Sequence, residues 1–209
     1  MVLNQGLRSE ESIARNHCPQ PNSEPKTALR ATLLANREAQ SEQPGQAVKN
    51  EALVRRIHEV LAQHEARCVG FYWPVAGEFD ARAALTHWLA ADETRGGALP
   101  VVITPHAPMV FHAWSAHTPM KEGRYRIPVP VEEIVVVPEL LLIPCVGFDA
   151  ARYRLGYGGG YYDRTLAAWP GETRPVTIGI AYESAKCRAL PHEAHDMPLD
   201  AIVTEAAIY

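Results

Sequence analysis

The stretch from Val135 to Phe148 is apolar almost without interruption and runs into Arg154-Leu-Gly-Tyr-Gly-Gly-Gly-Tyr-Tyr-Asp-Arg164. Strict alternation of apolar and polar residues would mark a strand with one wet face. Its absence here, over Ile134–Val137 and on through Pro138 to Pro144, predicts a strand covered on both faces at the centre of a sheet. The run falls short of the ~20 residues a membrane helix requires.

The flanking pattern supplies the layers. Leu29, Leu33 and Leu34 share a helical face from Pro25 to about Gln40, and Leu53, Ile57, Val60 and Leu61 mark a second helix ending near His64. Cys68–Trp73 reads as a strand entering a turn over Pro74–Gly77, and Ala84, Leu85, Trp88 and Leu89 as a helix capped by Asp80. Ala98–Thr104 and Met109–Trp114 read as strands, Tyr161–Ala168 as a short helix, and Thr177–Ala181 and Ala201–Thr204 as strands. The remainder of Pro105–Pro130 is expected to be loop. This alternation predicts an α/β fold with a mainly parallel sheet and helices on both faces, with ligands gathering beyond the carboxyl ends of the strands.

Length and composition narrow the class. The 209 residues suit one domain, expected over 25–209, and residues 1–24 mix polar and acidic residues as a disordered tail would. A net charge of -4 argues against a general nucleic-acid binder. Nothing in the chain points to a membrane or to an obligate partner, and a cytoplasmic monomer is expected. Four dispersed cysteines form no CxxC pair, so neither a zinc cluster nor a disulfide framework is indicated, and His192 and His195 read as surface residues.

Four glycines in the loop let backbone N–H groups converge on an anion, with a helix starting near Tyr161 adding its positive end; the alternative is a plain strand-to-helix turn. Asp163 beside such an anion would suit a magnesium–nucleotide site, or would merely complement a helix dipole. Asp196, in a proline-bounded loop, is either a second metal carboxylate or solvated. Lys26 and Arg30, four apart on one helix, either clamp a polyphosphate or lie on a solvent face. Trp73 could stack a flat heterocycle and Glu78 accept its donors; otherwise Glu78 belongs with Asp80 to the helix cap.

Leu142-Ile-Pro-Cys-Val-Gly-Phe-Asp149 followed by Arg154–Arg164 resembles the 5-formyltetrahydrofolate cyclo-ligase family, also called 5,10-methenyltetrahydrofolate synthetases. Lys26-x-x-x-Arg30, Trp73–Asp80, Ile178–Glu183 and His195–Thr204 agree in order. The resemblance implies a three-layer α/β/α sandwich that converts 5-formyltetrahydrofolate to 5,10-methenyltetrahydrofolate using ATP and Mg²⁺. It assigns ATP binding to Lys26, Arg30, Arg154, Leu155, Gly156, Tyr157, Gly158, Gly159, Gly160, Tyr161 and Tyr162. Charge neutralisation in catalysis falls to Arg154 and Lys26, and magnesium to Asp163 and Asp196. Folate falls to Trp73, Glu78, Tyr157, Gly158, Gly159, Gly160 and Tyr161.

The chain departs from the family at Arg126, where a glycine is usual, at Val129, where a glutamate is usual, and at Gly159, where some members carry lysine. These departures leave room for a relative acting on another substrate. A noncatalytic folate- or nucleotide-binding regulator is a further alternative, against which the two carboxylates Asp163 and Asp196 speak.

Overall fold

In a computed structural model, which describes residues 26–41, 43–192 and 196–209, Pro138 divides the apolar run. The expected tail and His195 lie outside the described residues. In chain order the elements are α1 (Lys26–Ser41), α2 (Gln46–Leu61), β1 (Cys68–Gly70), α3 (Arg82–Ala90), β2 (Gly96–Val101), β3 (Val110–Trp114), β4 (Met120–Glu122) and β5 (Pro128–Pro130). There follow β6 (Val135–Val136), β7 (Leu140–Pro144), β8 (Gly147–Phe148), β9 (Arg154–Leu155), α4 (Tyr161–Ala167), β10 (Val176–Ile180) and β11 (Ala201–Val203).

The main sheet has the order β11-β10-β7-β1-β2-β3-β6. Its first five strands are mutually parallel, whereas β3 runs antiparallel to both β2 and β6. Only the second half of the apolar run is the central strand. Pro138, which has no N–H to continue a ladder, separates β6 from β7, and Ile134, Val135 and Val137 are exposed because β6 is the sheet's edge strand. Two strands pair where loop was expected, β4 with β5, in a small separate hairpin.

β7 shows why continuous hydrophobicity means the middle of a sandwich. Leu140 and Leu142 join the core under α2 and α3, with Leu53, Ile57, Leu85 and Trp88. Leu141 and Ile143 point to the opposite face, with Phe111, Phe148 and Ile202, against which Tyr162 and Leu166 of α4 pack. All four are at most 1 % exposed, and each contributes about 1.5–3 kcal/mol by leaving water. A third cluster seats Leu29 and Leu33 of α1 on Val146, Leu155 and Leu190, beside the end of β7. Among the described residues no helix is long and apolar enough to cross a membrane.

Asp80 does serve the start of α3, one residue earlier than a regular cap. Its carboxylate accepts the Arg82 N–H at 3.0 Å and also grips the Arg82 guanidinium, while Ala81 occupies the cap position.

Candidate functional site

Because β1, β2 and β7 are parallel, their carboxyl ends open together, and a cavity of about 730 Å³ lies there. One wall is the turn after β1, with Trp73, Val75 and Glu78; the floor includes Pro144 at the end of β7 and Pro100 at β2. The opposite wall is the glycine loop, delivered by the β8–β9 hairpin. Every residue expected to bind ATP, folate or magnesium lines this one cavity: Lys26, Arg30, Trp73, Glu78, Arg154 to Asp163, and Asp196.

Two loop glycines are required by conformation. Gly158 has φ +91° and Gly160, which precedes α4, has φ +62°, values that side chains on L-residues adopt only at a cost of about 1–2 kcal/mol. A Cβ on Gly158 would also sit 3.3 Å from the Arg30 guanidinium, which donates from Nε to the Gly156 carbonyl at 2.6 Å. Gly159 lacks a left-handed φ and would meet only the Tyr161 ring. A Cβ there would lie 3.0–3.1 Å from that ring, so a side chain at this position requires the ring to shift by a few tenths of an ångström.

The cavity's cations and acids are already matched. Lys26 Nζ reaches Asp196 Oδ2 at 2.9 Å, and Arg154 Nη2 reaches Asp163 Oδ1 at 2.8 Å. Arg154 is nearly buried, with its guanidinium 5.3 Å from the centre of the Tyr162 ring. Among the described residues no cluster of three or more acidic, histidine or cysteine side chains could hold a metal by itself. Two carboxylates, Asp163 and Asp196, lining the same cavity as the glycine loop still fit magnesium, which takes one or two carboxylates and completes its shell with other oxygens and water. The Oδ2 of Asp163 takes no hydrogen bond among the described residues and is available as such a donor.

On the turn side, Arg82 stacks on the Trp73 ring at 4.3 Å. Glu78 is not part of the α3 cap. Its carboxylate is 4 % exposed and accepts the Val75 N–H at 2.9 Å and the Tyr157 hydroxyl at 2.9 Å. Burial pushes its pKa above the usual glutamate value of 4.5, against the lowering effect of those two donors and of Arg37.

Arg37 is the residue that sequence reasoning missed. It continues the α1 stripe of Leu29 and Leu33 at the next i+4 position, so an arginine stands where the periodicity calls for an apolar side chain. That misfit was the available signal. The side chain is 8 % exposed, 3.9 Å from Glu78, and donates to the Tyr157 hydroxyl at 3.0 Å and to the Cys145 carbonyl at 2.6 Å.

The departures at Arg126 and Val129 fall outside the cavity lining, although Tyr125, Ile127 and Pro128 between and beside them belong to it. Val129 is buried in β5, and Arg126 is exposed with φ +57°. Tyr125 bonds across the mouth to the Tyr161 hydroxyl at 2.6 Å. His192 is exposed, as expected of a surface residue, with its ring stacked on Tyr153 at 3.9 Å.

The sequence model of the 5-formyltetrahydrofolate cyclo-ligase family matches residues 22–205. The 5-formyltetrahydrofolate cyclo-ligase of Haemophilus influenzae is 32 % identical over 179 residues, covering 82 % of this chain and 89 % of the relative. That of Escherichia coli K12 is 35 % identical over 106 residues, covering 50 % and 54 %. Among solved structures, the 5,10-methenyltetrahydrofolate synthetase of Aquifex aeolicus matches with a TM-score of 0.72 at 26 % identity, covering 88 % of this chain and 91 % of that one. The synthetase from Mycoplasma pneumoniae matches with a TM-score of 0.68 over 87 % and 99 %, and at 23 % identity that likeness is one of fold.

Proposed function

The chain belongs to the 5-formyltetrahydrofolate cyclo-ligase family, and from that membership we propose that it converts 5-formyltetrahydrofolate to 5,10-methenyltetrahydrofolate, with ATP consumed to ADP and phosphate. The observation that carries this reading is the single cavity in which the glycine loop, with Lys26, Arg30 and Arg154 beside it, faces an aromatic and a buried glutamate. A two-substrate reaction needs both subsites within reach of one another.

Lys26, Arg30 and the loop N–H groups would hold the nucleotide's phosphates, with Arg154 at the transferring group. Trp73 and Glu78 would orient the pterin, its N–H groups donating to the carboxylate. Asp163 and Asp196 would hold magnesium, which supplies neutralisation of phosphate charge. The formyl oxygen then attacks the γ-phosphorus and ADP leaves. The neighbouring folate nitrogen closes the ring on the activated carbon, with loss of its proton and of inorganic phosphate. No protein nucleophile is called for. Consistent with that, Cys145 is 2 % exposed and burial pushes its thiol up to about 12. The buried thiol of Cys145 forms no disulfide among the described residues, in keeping with a reducing, cytoplasmic setting.

Purified protein mixed with 5-formyltetrahydrofolate and MgATP should develop the ultraviolet absorbance of the methenyl product with equimolar ADP. No product and no ADP would end this reading.

A further inference from the structure

Glu78 would do its work as a carboxylate acceptor for the substrate's N–H groups, yet burial alone favours its neutral form. Something must keep it ionised. The groups facing it come from four segments: Arg37 on α1, Tyr72 after β1, Cys145 after β7, and Tyr157 and Tyr162 at the two ends of the glycine loop. The three phenols and the thiol all have their ionisation pushed up by burial, so at neutral pH they are uncharged. Arg37 is the one charge acting on Glu78 among these groups.

The geometry also explains why Arg37 can do this without drifting. Its Nη2 is anchored on the Cys145 carbonyl at the end of the central strand, and its Nη1 holds the Tyr157 hydroxyl. The Tyr157 proton is thereby directed to Glu78 Oε1, since a hydroxyl accepting from a guanidinium must donate elsewhere. Tyr157 belongs to the glycine loop and Glu78 to the turn after β1, so the relay also ties the two walls of the cavity together.

We infer that Arg37 is a positioning residue for the reaction: acting directly and through the Tyr157 hydroxyl, it keeps Glu78 ionised and aimed into the cavity for the folate substrate. This rests on the proposed function. Arg37 itself is not among the residues that line the cavity.

The test measures the dissociation constant of 5-formyltetrahydrofolate between pH 5.5 and 8.5, and that of MgATP at pH 7.5, for wild type, Arg37→Met, Arg37→Lys and Tyr157→Phe. An arginine beside a carboxylate favours its ionised form, so in Arg37→Met the pH below which folate affinity is lost should rise. The loss of folate affinity relative to wild type should be greatest at the acidic end of the range, about tenfold, with MgATP affinity at pH 7.5 within about twofold of wild type. Arg37→Lys should restore part of the shift, and Tyr157→Phe, which removes the hydroxyl that Arg37 directs at Glu78, should move the profile in the same direction by at least as much. Should Arg37→Met fail to fold, Tyr157→Phe and Arg37→Lys decide. Profiles in Arg37→Met and Tyr157→Phe that coincide with that of an active wild type would overturn the role of Arg37 alone. A wild type that neither binds nor converts the folate would overturn the proposed function, and this inference with it.

Discussion

Gly158→Ala separates the two things the loop glycines do. At φ +91° the alanine costs about 1–2 kcal/mol of backbone strain, which should appear as lost stability in urea unfolding. The new methyl group would lie 3.3–3.4 Å from the Arg30 guanidinium, so Arg30 must give way and its 2.6 Å bond to the Gly156 carbonyl weakens. A hydrogen bond from a charged donor is worth about 1.5–3 kcal/mol. If Arg30 places an equivalent bond on the nucleotide, displacing it weakens binding by roughly 10- to 150-fold. Calorimetric titration with a nonhydrolysable ATP analogue and Mg²⁺ reads this directly. Gly159→Ala is the internal comparison, because its φ is unstrained and its Cβ would meet only the Tyr161 ring and not Arg30. Affinity should there stay within about threefold, as a surface change of about 0.5 kcal/mol allows. Equal losses in the two variants would refute the argument from Arg30.

Asp163→Asn should abolish methenyl formation while the circular dichroism spectrum is retained, because an asparagine oxygen can still accept from Arg154 Nη2; full activity would contradict the metal assignment. Its stability cost should not exceed about 3 kcal/mol, the upper value for a charged hydrogen bond. Arg126→Gly should leave turnover unchanged, since Arg126 is outside the cavity. It should raise stability by up to about 1 kcal/mol, as relief at φ +57° exceeds the extra freedom glycine gains in the unfolded chain. A lower urea midpoint in that variant would show that the arginine side chain stabilises the hairpin.

Much of the frame was legible because burial writes itself into composition. The run of four leucine and isoleucine residues in β7 told of two covered faces, and the amphipathic stripes of α1, α2 and α3 told which helices cover them. The misjudged boundary at Ile134–Val137 has a simple cause: exposed edge valines and buried central leucines are equally hydrophobic as letters. Only Pro138 distinguished them, by its missing N–H. The β4–β5 hairpin was illegible for a related reason, since three-residue strands bearing prolines carry no usable alternation.

Within the site, legibility followed local density. The glycine loop, Asp163 and Arg154 lie within eleven residues, so their joint chemistry could be read from one segment. Arg37 is different in kind. Its partners Cys145 and Tyr157 are 108 and 120 positions away, and Glu78 lies on a third segment, so no window of sequence contains the reason for its charge. What the chain does display is a contradiction: an arginine in the third place of a leucine stripe, where burying an unpaired guanidinium would cost several kcal/mol. A buried charge of that kind is sustained only by acceptors supplied from elsewhere in the fold. In a helix whose neighbouring face already offers Lys26 and Arg30 to the cavity, the nearest place for such acceptors is the cavity wall itself.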